Sequence, residues 1–194
     1  MKAARQVLNE KGLEGTTVPR VAARAGLSAG SVYRRFPDKD ALLRSVVLDF
    51  LQSLDARNDA VLTPKLAKLG TLRTFIEMAV KTSIATHRQK AGMLRAIHQF
   101  VLSHPSSAFK KKVHALDARS VQRVADFLLL KKKEIKHPRP EEAVPFALMT
   151  LGFILQDVIA LDVLPDVKDP NLPKNDDDLA RELIRVLSTY LGIE

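Results

Sequence analysis

The densest chemical signal in this chain is the run TVPRVAARAGLSAGSVYRRF, residues 17–36. Its hydroxyls, small residues and guanidinium groups alternate as two short helices joined by a tight turn would require. Ala22 is small where two helix axes come closest, and Gly26 stands where the turn demands positive φ, which glycine adopts without steric cost. Val32 is apolar where the second helix packs back on the first. Ser28 precedes that helix and caps it by accepting a hydrogen bond from an exposed backbone N–H. The outward positions are then Ala29, Ser31, Tyr33, Arg34 and Arg35. Such small, hydroxylic and cationic groups suit a DNA groove, where phosphates and base edges are met together. The spacing predicts a helix-turn-helix.

The frame around that unit consists of Ala3-Ala4, Val7-Leu8, Glu10-Lys11-Gly12 and Thr16-Thr17-Val18, and the run from Gly30 continues through Phe36-Pro37-Asp38-Lys39-Asp40-Ala41-Leu42-Leu43. Over about the first 47 residues this pattern resembles the N-terminal domain of the TetR/AcrR family of bacterial transcriptional regulators. The resemblance starts about one turn inside the family's usual first helix, which implies that an N-terminal arm reaching toward DNA is either absent or cut away, with residues before Met1 left open. It departs from the family at Ala29, where a polar or basic residue is common, and at Arg20, where an acid usually favours the positive end of the second helix.

The resemblance implies roles for matching positions. Thr17, Ser31, Tyr33 and Lys39 contact phosphates, Lys39 from the start of a linking helix. Arg34 and Arg35 reach phosphate or a guanine edge. Ser28, Ala29 and Gly30 lie along the groove, with Ala29 placed to touch a thymine methyl. It also implies a homodimer that presents two such helices to a pseudo-palindromic operator in double-stranded DNA, about 34–36 Å apart or a multiple. Ligand-released repression in the bacterial cytoplasm completes the expectation, with the small-molecule effector unidentified.

Composition agrees. The 194 residues include no cysteine, which excludes disulfides and thiolate metal sites and suits a reducing compartment. The first residues are charged and amphipathic, without the apolar core of a secretion signal. Of the net charge of +9, residues 1–45 contribute nine Lys/Arg against four Asp/Glu. Basic charge therefore concentrates where a polyanion would bind. No nucleophile elbow, phosphate loop or convergent acid–base set is present. His87, His98, His104, His114 and His137 have no metal-ligand spacing, so no enzyme activity, cofactor or metal is expected. The competing reading is a helical interaction protein that has lost DNA binding.

The rest reads as helix throughout, giving an all-α protein with a helix-turn-helix domain over 1–45 and a larger helical effector-binding and dimerisation domain over 46–194. Leu42, Leu43, Val46, Val47, Phe50, Leu51 and Leu54 predict the linking helix, capped by Asp38. Thr63-Pro64 breaks the pattern. Separate amphipathic runs follow over 69–84 and 93–101, then a long one over 109–128. Residues 141–164 are apolar around nearly the whole circumference, which calls for burial on several sides. Pro145, Gln156, Asp157 and Asp162 leave too short an uninterrupted apolar run for a membrane span. A last amphipathic helix starts at Asn175 and three aspartates, after an exposed loop over 165–173. Phe146, Phe153, Leu161, Leu183, Leu187 and Tyr190 are expected at the dimer interface. Phe75, Met93, Phe100, Phe127, Met149 and Phe153 are expected to line an apolar effector cavity. The lysine runs at 110–112 and 131–133 read as solvated helix faces.

Overall fold

The computed structural model describes residues 1–104, 108–160, 173 and 175–193. Among them the elements are α1 (Lys2–Gly15), α2 (Val18–Ala25), α3 (Ala29–Tyr33), α4 (Lys39–Val61), α5 (Pro64–Ala67), α6 (Leu72–Leu102), α7 (Ala108–Leu129), α8 (Pro140–Leu155) and α9 (Asp176–Leu191). A 3-10 turn, Lys132–Glu134, follows α7, and a π-turn, Gln156–Ala160, extends α8. No strand occurs among the described residues.

Side-chain caps start the helices where the sequence places them. Asp38 accepts from the Ala41 N–H at 2.7 Å. Thr63 accepts from the Leu66 N–H at 3.2 Å, with Pro64 in the first turn of α5. Asn175 accepts from the Asp178 N–H at 2.9 Å, and the three aspartates 176–178 occupy the favourable end of α9. One difference is that the two runs expected over 69–84 and 93–101 are a single helix, α6. The intervening residues 85–92 are polar but contain no proline. Extending an existing helix costs little, so the gap in apolar periodicity does not end it.

The chain divides into two compact units. The first is Met1–Ala56 with Lys90–Ala118, and the second is Arg57–Gln89 with Arg119–Glu194. The units do not follow the 45/46 boundary, because Val46, Val47 and Phe50 of α4 share the first unit's core with Met93, Ile97, Phe100, Phe109 and Val113. This division sharpens the charge asymmetry. The first unit holds fourteen Lys/Arg against seven Asp/Glu, a balance of +7, and the second holds seventeen against fifteen. Lys110, Lys111 and Lys112 thus fall in the unit that carries the helix-turn-helix.

In the second unit α8 buries Ala143, Val144, Ala147, Leu151 and Leu155 against Phe75, Ile76, Val80, Leu128 and the inner face of α9. Pro140–Ala160 spans 21 residues and contains an 18-residue stretch of mean hydropathy 1.8, so by length and composition it could cross a membrane despite Pro145, Gln156 and Asp157. Its other stripe faces outward: Phe146, Met149 and Phe153 are exposed, Phe153 to 64%. On α9, Val186 and Tyr190 are exposed as well, and the Phe146 and Tyr190 rings lie 5.7 Å apart. Leu183 and Leu187, expected at a dimer interface, are instead buried in the second unit's own core together with Leu179 and Leu191. The four recur every fourth residue, which puts them on one stripe, and that stripe packs inward. Leu161 and most of the loop expected over 165–173 lie outside the described residues.

The six residues expected around an effector cavity are divided between the two units' cores and the surface. Phe75 and Phe127 pack edge to face at 4.9 Å in the second unit's core. Met93 and Phe100 belong to the first unit's core, and Met149 and Phe153 are exposed. Large side chains on facing core positions fill the space they enclose, so apolar character alone does not mark a cavity.

Candidate nucleic-acid interface

The turn between α2 and α3 is built by local hydrogen bonds. Thr17 caps α2, accepting from the Arg20 N–H at 3.3 Å. Gly26 ends it at φ 68°, ψ 31°, the left-handed region, and the Leu27 N–H reaches back to the Ala22 carbonyl at 2.9 Å. Ser28 then caps α3 by accepting from the Ser31 N–H at 3.2 Å. Val32 turns inward and is buried with Val18, Val21, Ala22 and Leu42. That one apolar anchor fixes the rotation of α3 and so decides which side chains face out.

Of the predicted contact residues, Thr17, Ser28, Gly30, Tyr33, Arg34 and Arg35 are exposed, and Ala29, Ser31 and Lys39 are half-buried. Tyr33 is 48% exposed, so about half of its surface is open to a partner. Thr17 spends an acceptor lone pair on the cap, which leaves its hydroxyl proton for an outside oxygen. The Ser31 hydroxyl lies 2.9 Å from that of Ser28 and accepts from the Arg34 guanidinium at 3.2 Å. Arg34 is therefore held along α3, and the Arg35 guanidinium sits over the Phe36 ring at 5.8 Å.

Charge pairing separates this face from the helices that support it. Arg5 is bound to Asp49, Arg24 forms a two-point contact with Glu10, and Arg44 reaches Asp40 at 3.4 Å. Arg34, Arg35 and Lys39 have no carboxylate partner among the described residues. Three cations beside a row of hydroxyls, unneutralised by the protein, make this face electropositive. Arg20 departs from the expected acid for a local reason, since its guanidinium donates to the Gly15 carbonyl and closes the end of α1.

Three supporting groups had no signature in the spacing. Arg5 donates to the Asp49 carboxylate, to its backbone carbonyl and to the Ser53 hydroxyl, tying α1 to α4. Gly92 lets α6 approach α1 so closely that a Cβ would overlap the Asn9 carbonyl, and Asn9 Oδ1 accepts from the Met93 N–H at 3.0 Å. His104 bonds the Phe100 carbonyl at 2.8 Å through Nδ1 and Asp40 at 2.9 Å through Nε2. The Phe100 carbonyl, and Asp40 after it, push the His104 pKa up, and the His104 bond pulls Asp40 down. Lys39 is the residue before Asp40, so this contact anchors the start of the linking helix. Among the described residues no three His, Cys, Asp or Glu gather as a metal site.

Residues 1–46 match the profile of bacterial regulatory proteins, tetR family. The N-terminal segment of the chain is thus similar to that of the tetR family. Its relatives include the HTH-type transcriptional repressor KstR2 of Rhodococcus jostii, 28% identical over 78 residues, 40% of this chain and 38% of that protein. The repressor of the same name from Mycolicibacterium smegmatis is 32% identical over 106 residues, 52% of each chain. The matches thus span about half or less of these relatives' length. The fold is similar to that of a TetR-family regulator from Mesorhizobium loti, with TM-score 0.74, 19% identity, and 98% and 92% of the two chains covered. The regulator FadR from Bacillus subtilis, solved in complex with stearoyl-CoA, aligns with TM-score 0.68 and 16% identity over 100% and 97%.

Proposed function

We propose that this protein is a tetR-family, ligand-responsive transcriptional repressor that acts in the cytoplasm, binding a pseudo-palindromic operator as a homodimer and releasing it when a small apolar effector binds. The observation that carries DNA recognition is the set of unpaired cations Arg34, Arg35 and Lys39 beside the capped hydroxyls of Thr17, Ser28 and Ser31. Tyr33 adds a phosphate contact, and Ala29 and Gly30 allow the backbone close approach to the groove. A relative named as a repressor supports the direction of control.

Dimerisation is supported by the outward apolar stripe of Phe146, Met149 and Phe153 on α8, adjoining Tyr190 on α9. A second copy of the same stripe covers it by two-fold symmetry, as such interfaces are self-complementary. Effector control follows the FadR likeness, since that protein was solved with an acyl ligand. The test is selection of genomic DNA fragments by the purified dimer. A shared inverted repeat among the captured fragments is the expected result. A folded dimer that enriches nothing overturns DNA recognition and leaves a helical interaction protein.

A further inference from the structure

Lys110, Lys111 and Lys112 stand in the first two turns of α7, a run that reads from sequence as a solvated helix face. Lys111 and Lys112 are exposed and have no ion-pair partner among the described residues. The first turn of α7 holds no acid, and the first acid after the run is Asp117. Cations at the positive end of a helix dipole are unfavourable, so the run weakens the helix that carries it. The lysine run of the second unit differs, since Lys131 pairs with Glu134 and Lys132 with Glu141, both at 3.6 Å.

The place of the run within the first unit gives it a use. Phe109, the residue before it, is buried in that unit's core. Its ring lies 5.5 Å from Phe100 and 6.4 Å from His104, and the Arg44 guanidinium sits over it at 5.9 Å. His104 in turn bonds Asp40 at 2.9 Å, and Asp40 follows Lys39. The start of α7 thus packs at the start of α4, the end at which Lys39 joins the helix-turn-helix face. The acids at that end are already engaged, Asp40 by His104 and Arg44, and Asp38 by the cap on α4. We propose that Lys111 and Lys112 extend the nucleic-acid interface beyond the helix-turn-helix, each meeting a DNA phosphate outside the set met from α2, α3 and the start of α4. The proposal rests on the reading of the helix-turn-helix as a DNA-binding face. Lysine is a mobile point charge without the rigid fork that reads a base edge, which suits it to phosphate. Such contacts add affinity and fix position without adding sequence preference.

Ethylation interference with the full chain on a captured inverted repeat, carried in a longer duplex, maps the phosphates touched. Lys111→Gln combined with Lys112→Gln should lose phosphates that Lys39→Ala retains. The same double variant should bind about tenfold more weakly and flatten the salt dependence of log K by about 4 per dimer, two phosphates being given up by each subunit. Lys111→Arg combined with Lys112→Arg should keep the wild-type footprint and slope. The melting temperature of the free glutamine variant should stay level or rise, because unfavourable charge has left the helix start. The proposal is overturned if the glutamine variant keeps every wild-type phosphate. It is also overturned if Lys132→Gln combined with Lys133→Gln, in the second unit, flattens the slope as much, since any lost cation then acts alike. Weakened binding by Lys39→Ala beside an intact footprint in the glutamine variant sinks this proposal alone. A wild-type protein that binds no duplex sinks the helix-turn-helix reading and this proposal with it.

Discussion

Gly92 lies inside α6, where helix propensity and close packing predict opposite signs for Gly92→Ala. On propensity alone, alanine in a helix interior is better than glycine by about 1 kcal/mol. Packing against α1 says otherwise, because the added Cβ would overlap the Asn9 carbonyl oxygen, which belongs to backbone and cannot swing aside. Separating two packed helices to fit one methyl costs about 1–3 kcal/mol. It also stretches the 3.0 Å bond from the Met93 N–H to Asn9, worth about 1 kcal/mol. After the propensity gain, a net destabilisation of about 1–3 kcal/mol remains. Urea denaturation followed by helical circular dichroism measures it. Gly92→Ser should behave similarly, since it brings the same Cβ. A stabilised Gly92→Ala protein would refute the close approach of α6 to α1, and with it the account of how the first unit's core holds the helix-turn-helix.

Tyr33→Ala and Lys39→Ala should each reduce operator affinity about tenfold in a fluorescence anisotropy titration, with the circular dichroism spectrum unchanged. Unchanged affinity in both would remove them from the interface. If the proposed dimer forms through the α8 stripe, Phe153→Asp at its most exposed point should sediment as a monomer where the wild type sediments as a dimer, and should lower operator affinity with it. His104→Ala should lower the melting temperature by an amount that depends on pH. The histidine's raised pKa means its bond to Asp40 stabilises fully below its ordinary value of 6.5 and fades as pH rises through the raised value. Asp40, held below its ordinary 3.8, loses its share only as pH falls through the lowered value. The gap between wild type and variant should therefore be widest between those limits and narrow in alkaline buffer. A pH-independent gap would mean that His104 acts only by packing on Phe100 and Phe109.

What the sequence made legible was local. The caps at Thr17, Ser28, Asp38 and Asn175, the left-handed glycine at position 26 and the inward Val32 are each set by neighbours within a few residues. Pairings between distant residues left no trace in spacing: Arg5 with Asp49, Asn9 with Gly92, and Asp40 with His104 depend on which helices meet. Periodicity also does not say which stripe of a broadly apolar helix is covered by its own chain. On α9 two stripes compete, and Leu183 and Leu187 fall on the inner one while Val186 and Tyr190 fall on the outer. The polar stretch 85–92 shows a related limit, since a gap in apolar residues marks a change of environment along α6, not its end.

The most direct test of DNA recognition is a salt titration of the purified protein, as the proposed dimer, on a captured inverted repeat. Arg34, Arg35 and Lys39 from two subunits neutralise about six phosphates, so these alone should give log K a slope of about −5 against log salt. Lys39→Ala should flatten that slope by about 2 per dimer. A wild-type slope near zero, or no duplex binding from a folded dimer, would contradict the assignment of this face to DNA.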